Sequence, residues 1–352
     1  MNVLEVISEI KPASQMAMNE ARDRWLAIGK PLFSLGKLED TVIKMAGIKG
    51  TANYQIEKKG LIIMCADNGV VEEGVTQTGQ EVTAIVADNF TKHATSVCAM
   101  CDVAKVDIFP IDIGMAADVP SVTKKEKKVS YGTKNFAKEP AMARKDVFKA
   151  IEIGILAVKE AAEEGYDLLA TGEMGIGNTT TSSAVATVLL EKEAAQMTGR
   201  GAGLSGAGLE KKIRVIENAI LKHQPDKNDV IDVLSKVGGL DIAGLTGIFL
   251  GGAVYGVPVL IDGFISSVAA LCAAKLNDNA ADYMLASHVS KEPAGKMVLD
   301  ELGLSPMLTC DMCLGEGSGA VAAIPVIEMG LSVYRQMGTF EDIQVERYQV
   351  LK

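Results

Sequence analysis

The sequence predicts an α/β fold with a mostly parallel sheet, and two observations support that class. Short apolar runs that end in glycine or polar residues alternate with longer stretches of helical periodicity. This alternation implies right-handed crossovers between parallel strands, with a ligand site beyond their carboxyl ends. The chain has 352 residues, of which 48% are hydrophobic, enough for one large core with an accessory subdomain or for two domains.

The chain begins with predicted helices and continues into the predicted sheet. Residues 1 to about 50 place apolar side chains at helical spacing, with Gly36 and Gly47 as expected breaks, and form a predicted helical annex. Six apolar runs then predict strands, and helical patterns between them predict the crossovers. The strands are predicted at 61–70, 106–115, 166–171, 257–264, 282–289 and 307–317, and the helices at 149–162, 209–221 and 239–255.

Polar or charged side chains follow the ends of these predicted strands. Because the carboxyl ends of parallel strands meet at one edge of a sheet, we expect these side chains to converge on one rim. They are Asp67, Asn68, Glu173, Asp262, His288, Ser290 and Glu316.

The stretch from 166 to 185, YDLLATGEMGIGNTTTSSAV, combines a buried strand, a predicted glycine loop and the start of a helix. Gly172, Gly175 and Gly177 lack a Cβ, so the backbone there can adopt positive φ and approach a ligand closely. Residues 179–181 then begin a helix, whose free N–H groups and partial positive charge favour an anion. The stretch therefore predicts a binding site for one phosphate group.

Two familiar nucleotide-binding patterns do not fit this chain. Residues 172–179 match the phosphate loop of ATP-binding proteins except at Asn178, where the lysine that reaches the β- and γ-phosphates is missing. The pattern G-x-G-x-x-G occurs at 201–206, but no apolar strand precedes it, which argues against NAD. Glu173, within the predicted loop, suggests a carboxylate that holds a sugar hydroxyl or faces a cationic ring.

A second glycine-rich segment, 315–319, contains the single carboxylate Glu316 and precedes an alanine-rich helix that continues to Arg335. Two interpretations stay open from the spacing alone. Glu316 can be a helix N-terminal acid favoured by the macrodipole. It can also be a general base whose pKa is raised by desolvation in an apolar pocket. With no histidine, metal or nucleophilic cysteine in context, it is the best candidate for a base.

Six cysteines include two C-x-x-C pairs, 98/101 and 310/313, far apart in the chain. Zinc ribbons place such pairs about 15–20 residues apart. The histidines, at 93, 223 and 288, form no H-x-x-x-H or H-E-x-x-H pattern. We therefore expect reduced core thiols and no metal site.

Composition excludes several classes of partner. A formal net charge of −10, with no basic aromatic-rich patch, argues against nucleic acid and favours small molecules. The KKEKK run at 124–128 is interpreted as a solvated loop. Glycines divide the apolar stretch 237–261 into a closely packed helix and a strand, so no membrane span is expected. Residues 1–16 lack a secretory pattern, and we expect a cytoplasmic protein.

Seven segments carry a resemblance to a known family. They are CADNGVVEEGV (65–75), GQEVTA (79–84), GTKNFAKEPAM (132–142), TGEMGIGNTTTSSAV (171–185), VPVLIDGFISS (257–267), SHVSKEPAG (287–295) and LGEGSGA (314–320). Together they resemble the nicotinate-nucleotide:dimethylbenzimidazole phosphoribosyltransferase family, in order from about Lys30 to Met337.

The resemblance implies both a reaction and an architecture. The family transfers the 5-phosphoribosyl group of nicotinate mononucleotide to a base, usually 5,6-dimethylbenzimidazole, during assembly of the cobalamin nucleotide loop. It uses no metal or other cofactor. The implied fold is a Rossmann-like, mostly parallel sheet flanked by helices, spanning 51–320, with a small helical domain built from 1–50 and 321–352. The implied assembly is a dimer whose partner subunit lies near the site.

The resemblance also assigns site residues. By motif, Glu316 corresponds to the general base, Glu173 and its glycines to the nucleotide pocket, and Gln80 to a position near the acceptor base. By looser alignment, Lys212 and Ser290 correspond to phosphate or ribose contacts, while the role of Asp262 stays open. The implied substrate-binding set is Gln80, Gly172, Glu173, Gly175, Gly177, Asn178, Thr179, Gly201, Gly203, Lys212, Asp262, Ser290, Leu314 and Gly315.

Three departures from the family pattern leave the acceptor open. Asn68 stands where many relatives have histidine, Gly79 where proline often precedes the glutamine, and Phe33 where glycine is usual. The family also resembles enzymes that ribosylate phenols such as p-cresol and work as paired, non-identical subunits. The assembly can therefore be a homodimer or a heterodimer with a paralogue. A further alternative is a non-catalytic, nucleotide-binding partner subunit, although Glu316 and the intact 172–181 loop argue against it.

Overall fold

The computed structural model describes residues 2–350, and its core is a five-stranded parallel sheet in the order β2-β1-β3-β4-β5. Every neighbouring pair of strands runs parallel, which confirms the predicted α/β class. The continuous apolar runs of β1 and β3 are buried because each strand has a neighbour on both sides and helices over its faces. The strands are β1 Lys59–Ala66, β2 Asp107–Gly114, β3 Leu168–Met174, β4 Val259–Ile261 and β5 Met284–Ala286.

Helices connect the strands and cover both the sheet and the chain ends. The three predicted crossover helices are confirmed as α6, α9 and α11, and each extends no more than five residues beyond its predicted bounds at either end. The helices are α1 Val3–Ser8, α2 Gln15–Ala27, α3 Lys37–Lys49, α4 Glu81–Thr91, α5 Ser96–Ala104, α6 Arg144–Glu163, α7 Asn178–Leu190, α8 Ala194–Met197, α9 Gly206–His223, α10 Val230–Val237, α11 Leu240–Tyr255, α12 Phe264–Leu276, α13 Gly295–Glu301 and α14 Ser318–Gln336, with 3₁₀ turns at Gly69–Glu73 and Asp278–Tyr283.

The two terminal segments pack against each other. The rings of Trp25 and Tyr334 lie 5.2 Å apart, and the N–H of Phe340 donates to the carbonyl of Ala27 at 2.9 Å. Gly36 precedes α3 as predicted, but the predicted break at Gly47 is wrong, because that glycine lies within α3. A Cβ there would lie 2.7 Å from Met18 Cγ, so glycine permits close packing of α2 on α3. The division into domains at residues 50 and 320 stays a prediction.

The predicted sixth strand, 307–317, is wrong. This segment is irregular and makes one isolated bridge to the sheet, between Leu308 and His288. Asp311 and the residues 315–317 have positive φ, which a β-strand cannot accommodate. β3 in turn runs three residues further than predicted, so Gly172 and Glu173 lie in the strand and not in the loop after it.

Glycines explain the long apolar stretch 237–261. A Cβ at Gly154 of α6 would overlap the carbonyl oxygen of Gly244 in α11, and one at Gly247 would overlap the carbonyl oxygen of Ile151. The backbones of α6 and α11 are therefore in direct contact, which confirms the interpretation of close helix packing followed by a strand. Among residues 2–350, none of the helices combines the length and the hydropathy needed to span a bilayer.

Candidate active site

A cavity of about 270 Å³ opens at the carboxyl ends of β3, β4 and β5. Five of the seven side chains predicted to form one rim line it: Glu173, Asp262, His288, Ser290 and Glu316. The two residues that follow β1 lie beside the cavity and not on its wall. Asp67 accepts a hydrogen bond from the backbone N–H of Ala116 at 2.7 Å, and Asn68 donates to the carbonyl of Ile176 at 3.4 Å, so both connect neighbouring loops.

One wall of the cavity is the N-terminus of α7. Gly177 precedes this helix with φ +93°, the left-handed conformation that glycine adopts without strain. The N–H groups of Asn178 and Thr180 bond back to the carbonyls of Gly175 and Gly177, at 3.0 and 2.9 Å. The backbone N–H of Thr179 has no such partner among the described residues. This helix start, which the glycine-rich sequence predicts, therefore has a donor free for an anion.

Lys212 lies behind this helix start and is 1% exposed. Its ammonium donates to Thr179 Oγ1 at 2.8 Å and to the carbonyl of Gly199 at 3.2 Å. Burial lowers the pKa of Lys212 to about 8, although the carboxylate of Glu292 opposes the shift. Lys212 therefore contributes a positive charge at the α7 N-terminus, and burial makes this ammonium easier to deprotonate.

Glu173 points into the cavity from β3 and is 7% exposed. Burial raises its pKa to about 8, the charge of Asp241 adds to the shift, and a hydrogen bond from the Asn178 amide opposes it. Near neutral pH this carboxyl group is therefore largely protonated, able to donate a hydrogen bond as well as to accept one.

Glu316 lies in a loop of three consecutive left-handed residues, which we call the glutamate loop: Gly315 with φ +86°, Glu316 with φ +63° and Gly317 with φ +90°. Its Oε2 accepts the backbone N–H of Val97, at the start of α5, at 3.4 Å. Burial raises the pKa of Glu316, and the Val97 N–H opposes that shift. The result is a half-buried carboxylate at the cavity wall with only a weak partner.

Asp262 anchors the helix that follows the glutamate loop. Its Oδ1 accepts the N–H groups of Gly319 and Ala320, in the first turn of α14, at 2.7 and 3.0 Å. Burial raises the pKa of this carboxyl group, while the neighbouring His288 opposes the shift. No role for Asp262 follows from the sequence. In the structure, its hydrogen bonds connect the end of β4 to the start of α14.

The family model described as Phosphoribosyltransferase (DBI_PRT) matches residues 10–345. The chain belongs to this phosphoribosyltransferase family. It is 47% identical over 347 residues to the nicotinate-nucleotide–dimethylbenzimidazole phosphoribosyltransferase of Acetivibrio thermocellus, covering 99% of each chain. Its identity to the protein of the same name from Ruminiclostridium cellulolyticum is also 47%, over 348 residues and 99% of each chain. The resemblance drawn from the sequence is confirmed.

A solved structure agrees with this membership of the phosphoribosyltransferase family. The crystal structure of CobT from Thermus thermophilus superposes with a TM-score of 0.89 at 34% identity. The superposition covers 94% of this chain and 99% of that one, so the similarity extends over both the sheet and the terminal helices.

Most of the substrate-binding set expected for a phosphoribosyltransferase lies together. Besides Glu316, the cavity wall includes Glu173, Gly175, Asn178, Thr179, Gly201, Asp262, Ser290, Leu314 and Gly315. Lys212 contacts this wall through Thr179. Gly172, Gly177, Gln80 and Gly203 lie outside the wall; the Gln80 amide donates to the carbonyl of Asn68 at 3.2 Å, and the carbonyl of Gly203 accepts from Gln77. The roles of all these residues stay predictions.

Sequence reasoning missed two acidic residues near the site. Glu292 lines the cavity, and its buried Oε2 has no hydrogen-bond partner within residues 2–350. Asp241 is fully buried, and its charge is the main electrostatic influence on Glu173. One signal was available for Asp241, because it is the only charged residue in the apolar stretch 237–261.

The cysteine prediction is right for four thiols and wrong for two. Cys65, Cys98, Cys101 and Cys272 are buried and free. Cys310 and Cys313 are exposed, because they lie on the irregular segment that replaces the predicted sixth strand. Across residues 2–350, no group of three or more His, Cys, Asp or Glu side chains is placed to hold a metal ion.

Proposed function

We propose that this protein transfers the 5-phosphoribosyl group of nicotinate mononucleotide to 5,6-dimethylbenzimidazole or a related aromatic base, releasing nicotinate, in cobamide nucleotide-loop assembly. The observation that carries the proposal is one cavity that combines the α7 N-terminus, with Lys212 behind it, and the carboxyl groups of Glu173 and Glu316. The names of the relatives support the same substrates. We also propose that it acts in the cytoplasm.

We assign the donor phosphate to the start of α7. The free N–H of Thr179, the dipole of the helix and the ammonium of Lys212 all favour a dianion there. Ser290, on the same cavity wall, supplies a hydroxyl for the phosphate or the ribose. Glu173 lies on the nucleotide side, where its carboxyl group can hydrogen-bond to a ribose hydroxyl or face the cationic nicotinate ring.

The chemistry requires one proton acceptor. The ring nitrogen of nicotinate mononucleotide is cationic, so nicotinate leaves the anomeric carbon as a neutral pyridine and needs no further activation. One nitrogen of the benzimidazole forms the new bond to that carbon, and the other nitrogen must lose its proton. Glu316, as carboxylate, accepts this proton while positive charge develops on the acceptor. Binding both substrates in one cavity supplies the orientation.

Product identification tests the reaction directly. The purified protein is incubated with nicotinate mononucleotide and, in separate reactions, with dimethylbenzimidazole, adenine or p-cresol, and the products are identified by mass spectrometry. The proposal expects release of nicotinate together with an α-riboside 5'-phosphate of the benzimidazole. Ribosylation of p-cresol alone would replace it with the phenol-specific alternative, and release of nicotinate with no acceptor product would contradict transfer.

We further propose a dimer, either of like chains or with a paralogous subunit, in which the partner covers the open side of the cavity. Leu314 supports this arrangement, because it lines the cavity and is 54% exposed in the single chain. Light scattering after size-exclusion chromatography tests it. A monomer with full activity would contradict the proposal.

Gly177→Ala is expected to weaken nicotinate mononucleotide binding by about tenfold, because its Cβ would lie 2.8 Å from Val71 Cγ2 and the α7 start must shift. Calorimetric titration measures the change. Gly165→Ala is the matched control: it has a similar φ of +83° but nothing within 4 Å of the added Cβ. Unchanged affinity in Gly177→Ala would contradict the phosphate assignment.

Chelation is expected to leave turnover unchanged, because the donor supplies its own leaving group. Initial rates are compared before and after dialysis against EDTA, with dialysis against plain buffer as the control. Loss of activity that zinc or magnesium restores would contradict the metal-free mechanism and direct attention to the cysteine pairs.

A further inference from the structure

The glutamate loop lies directly on the backbone of β3, over Gly172. A Cβ at Gly172 would lie 2.6 Å from the carbonyl oxygen of Glu316, 2.9 Å from its carbonyl carbon and 3.1 Å from the backbone nitrogen of Gly317. Side-chain carbons essentially never approach other heavy atoms closer than 3.0 Å. Glycine is therefore the only residue that lets this loop occupy its observed place.

The conformation of the loop depends on such contacts. A glutamate with positive φ is strained, and such strain persists only where the surroundings impose it. Several neighbours hold the loop and the helix start after it: the backbone of Gly172 below it, Glu173 beside Gly315, Leu61 and Thr171 beside Gly317, Asp262 at the first turn of α14, and the Val97 N–H on the Glu316 carboxylate. The contact with Gly172 is made with the backbone carbonyl of Glu316 itself.

We propose that Gly172 is a positioning residue for Glu316: the missing side chain sets how far the glutamate loop descends onto β3, and hence where the Glu316 carboxylate meets the acceptor. The proposal rests on the proposed function for the role of Glu316. It gives Gly172 a different task from the phosphate contact expected from its sequence motif. Its place in β3, outside the cavity wall, supports that difference.

The effect of an added methyl group follows from the distances. To relieve a contact of 2.6 Å, the loop must move away from β3 by several tenths of an ångström. The added Cβ is fixed to the β3 backbone, and the atom that it meets is the backbone carbonyl oxygen of Glu316, so no side-chain rotation can relieve the contact. Misplacement of a catalytic group by about 1 Å can reduce the rate by about 10²-fold. We therefore expect Gly172→Ala to lower kcat by about 10- to 100-fold. Affinity for nicotinate mononucleotide should stay within about threefold, because no hydrogen bond among residues 2–350 joins Thr179 or Lys212 to the loop.

The experiment compares Gly172→Ala with a matched control in the adjacent strand. Gly60 of β1 is also buried, but the three atoms nearest to its added Cβ belong to the side chains of Leu169, Phe109 and Tyr166, each at 3.1 Å. Gly60→Ala should keep wild-type kcat. Both variants are assayed for kcat, for donor affinity by calorimetry and for melting temperature in the full-length protein.

A double variant separates positioning from a general structural defect. In a Glu316→Gln background, Gly172→Ala should lower kcat by less than a further twofold, because the group that it displaces is already inactive. An equal loss in both backgrounds, or wild-type kcat in Gly172→Ala alone, would overturn the proposal. If Gly172→Ala does not fold, Gly317→Ala crowds the same contact between the loop and the sheet, because its Cβ would overlap the side chain of Leu61 and lie 3.1 Å from the carbonyl oxygen of Thr171 and 3.3 Å from Gly172 Cα.

A second measurement does not depend on the reaction. The Val97 N–H should exchange with solvent faster in Gly172→Ala than in wild type or Gly60→Ala, because the carboxylate that accepts it moves away. If the wild-type protein transfers no phosphoribosyl group to any acceptor, the proposed function fails while this exchange measurement still tests the positioning. Unchanged Val97 exchange in Gly172→Ala would overturn the positioning even if the enzyme is active.

Discussion

Glu316→Gln is expected to lower kcat by about 10²–10⁴-fold, the usual contribution of a general base, while affinity for nicotinate mononucleotide stays within a few-fold of wild type. Glutamine has nearly the same shape and can still accept the Val97 N–H through its oxygen, so the loop is expected to keep its conformation. It cannot accept the acceptor's proton. Steady-state kinetics with dimethylbenzimidazole and calorimetry with the donor measure the two effects separately.

Glu173→Gln is the comparison variant, because Glu173 is the other carboxyl group of the cavity to which we assign a role in substrate binding. Wild-type kcat in Glu316→Gln would mean that Glu316 is only an acidic residue at a helix N-terminus, and Glu173 would become the next candidate for the general base. Loss of donor binding in step with kcat would mean that Glu316 holds the donor, and that the proton leaves by another route. Melting curves test whether either variant is unfolded. We expect both to stay folded, because exchanges of this kind outside the core usually cost about 0.5 kcal/mol or less of the free energy of unfolding.

The pH dependence of kcat gives an independent check on the same residue. Glu316 must be ionised to act as a base, so kcat should fall as the pH drops through its pKa. Burial raises that pKa above the ordinary value for glutamate, so the fall should begin at a higher pH than for an exposed carboxylate. This acid limb should be missing from the residual activity of Glu316→Gln.

The sequence predicted those parts of the fold that depend on local pattern. β1 and β3 contain short apolar runs that end in glycine or polar residues, and α7 begins directly after a glycine, so these features are visible in adjacent residues. The continuation of β3 through Gly172 was not visible, because residues 171–174 belong to the strand through their parallel pairing with residues 62–65 of β1. That pairing joins residues far apart in the chain, and no local pattern reports it.

The same reason explains the incorrect sixth strand and the missed Asp241. Residues 307–317 have an apolar run of strand-like composition, but the left-handed residues around Glu316 are imposed by contacts with β3 and the start of α5. Asp241 influences Glu173 only because α11 packs across the sheet. The positions of the predicted strand ends supplied five of the cavity residues, and family resemblance added others, such as Asn178, Thr179 and Leu314.

Lys212→Met is expected to weaken nicotinate mononucleotide binding by about 10- to 150-fold, because a hydrogen bond between charged groups contributes about 1.5–3 kcal/mol. The neighbouring Lys211→Met is the matched control: Lys211 is exposed, whereas Lys212 is buried. Calorimetric titration at constant ionic strength should find wild-type affinity in the control. Equal affinity in the two variants would contradict a phosphate contact by Lys212.

The pH dependence of donor binding should carry the signature of Lys212. Burial lowers its pKa to about 8 in the free protein, so the ammonium is present below that pH and is lost as the pH rises through it. A phosphate monoester becomes a dianion above about pH 6, so affinity should be highest between about 6 and 8 and should decline above 8. Glu173 titrates in the same range, and its ionisation would favour a cationic ring. The alkaline decline should therefore become steeper in Glu173→Gln and disappear in Lys212→Met.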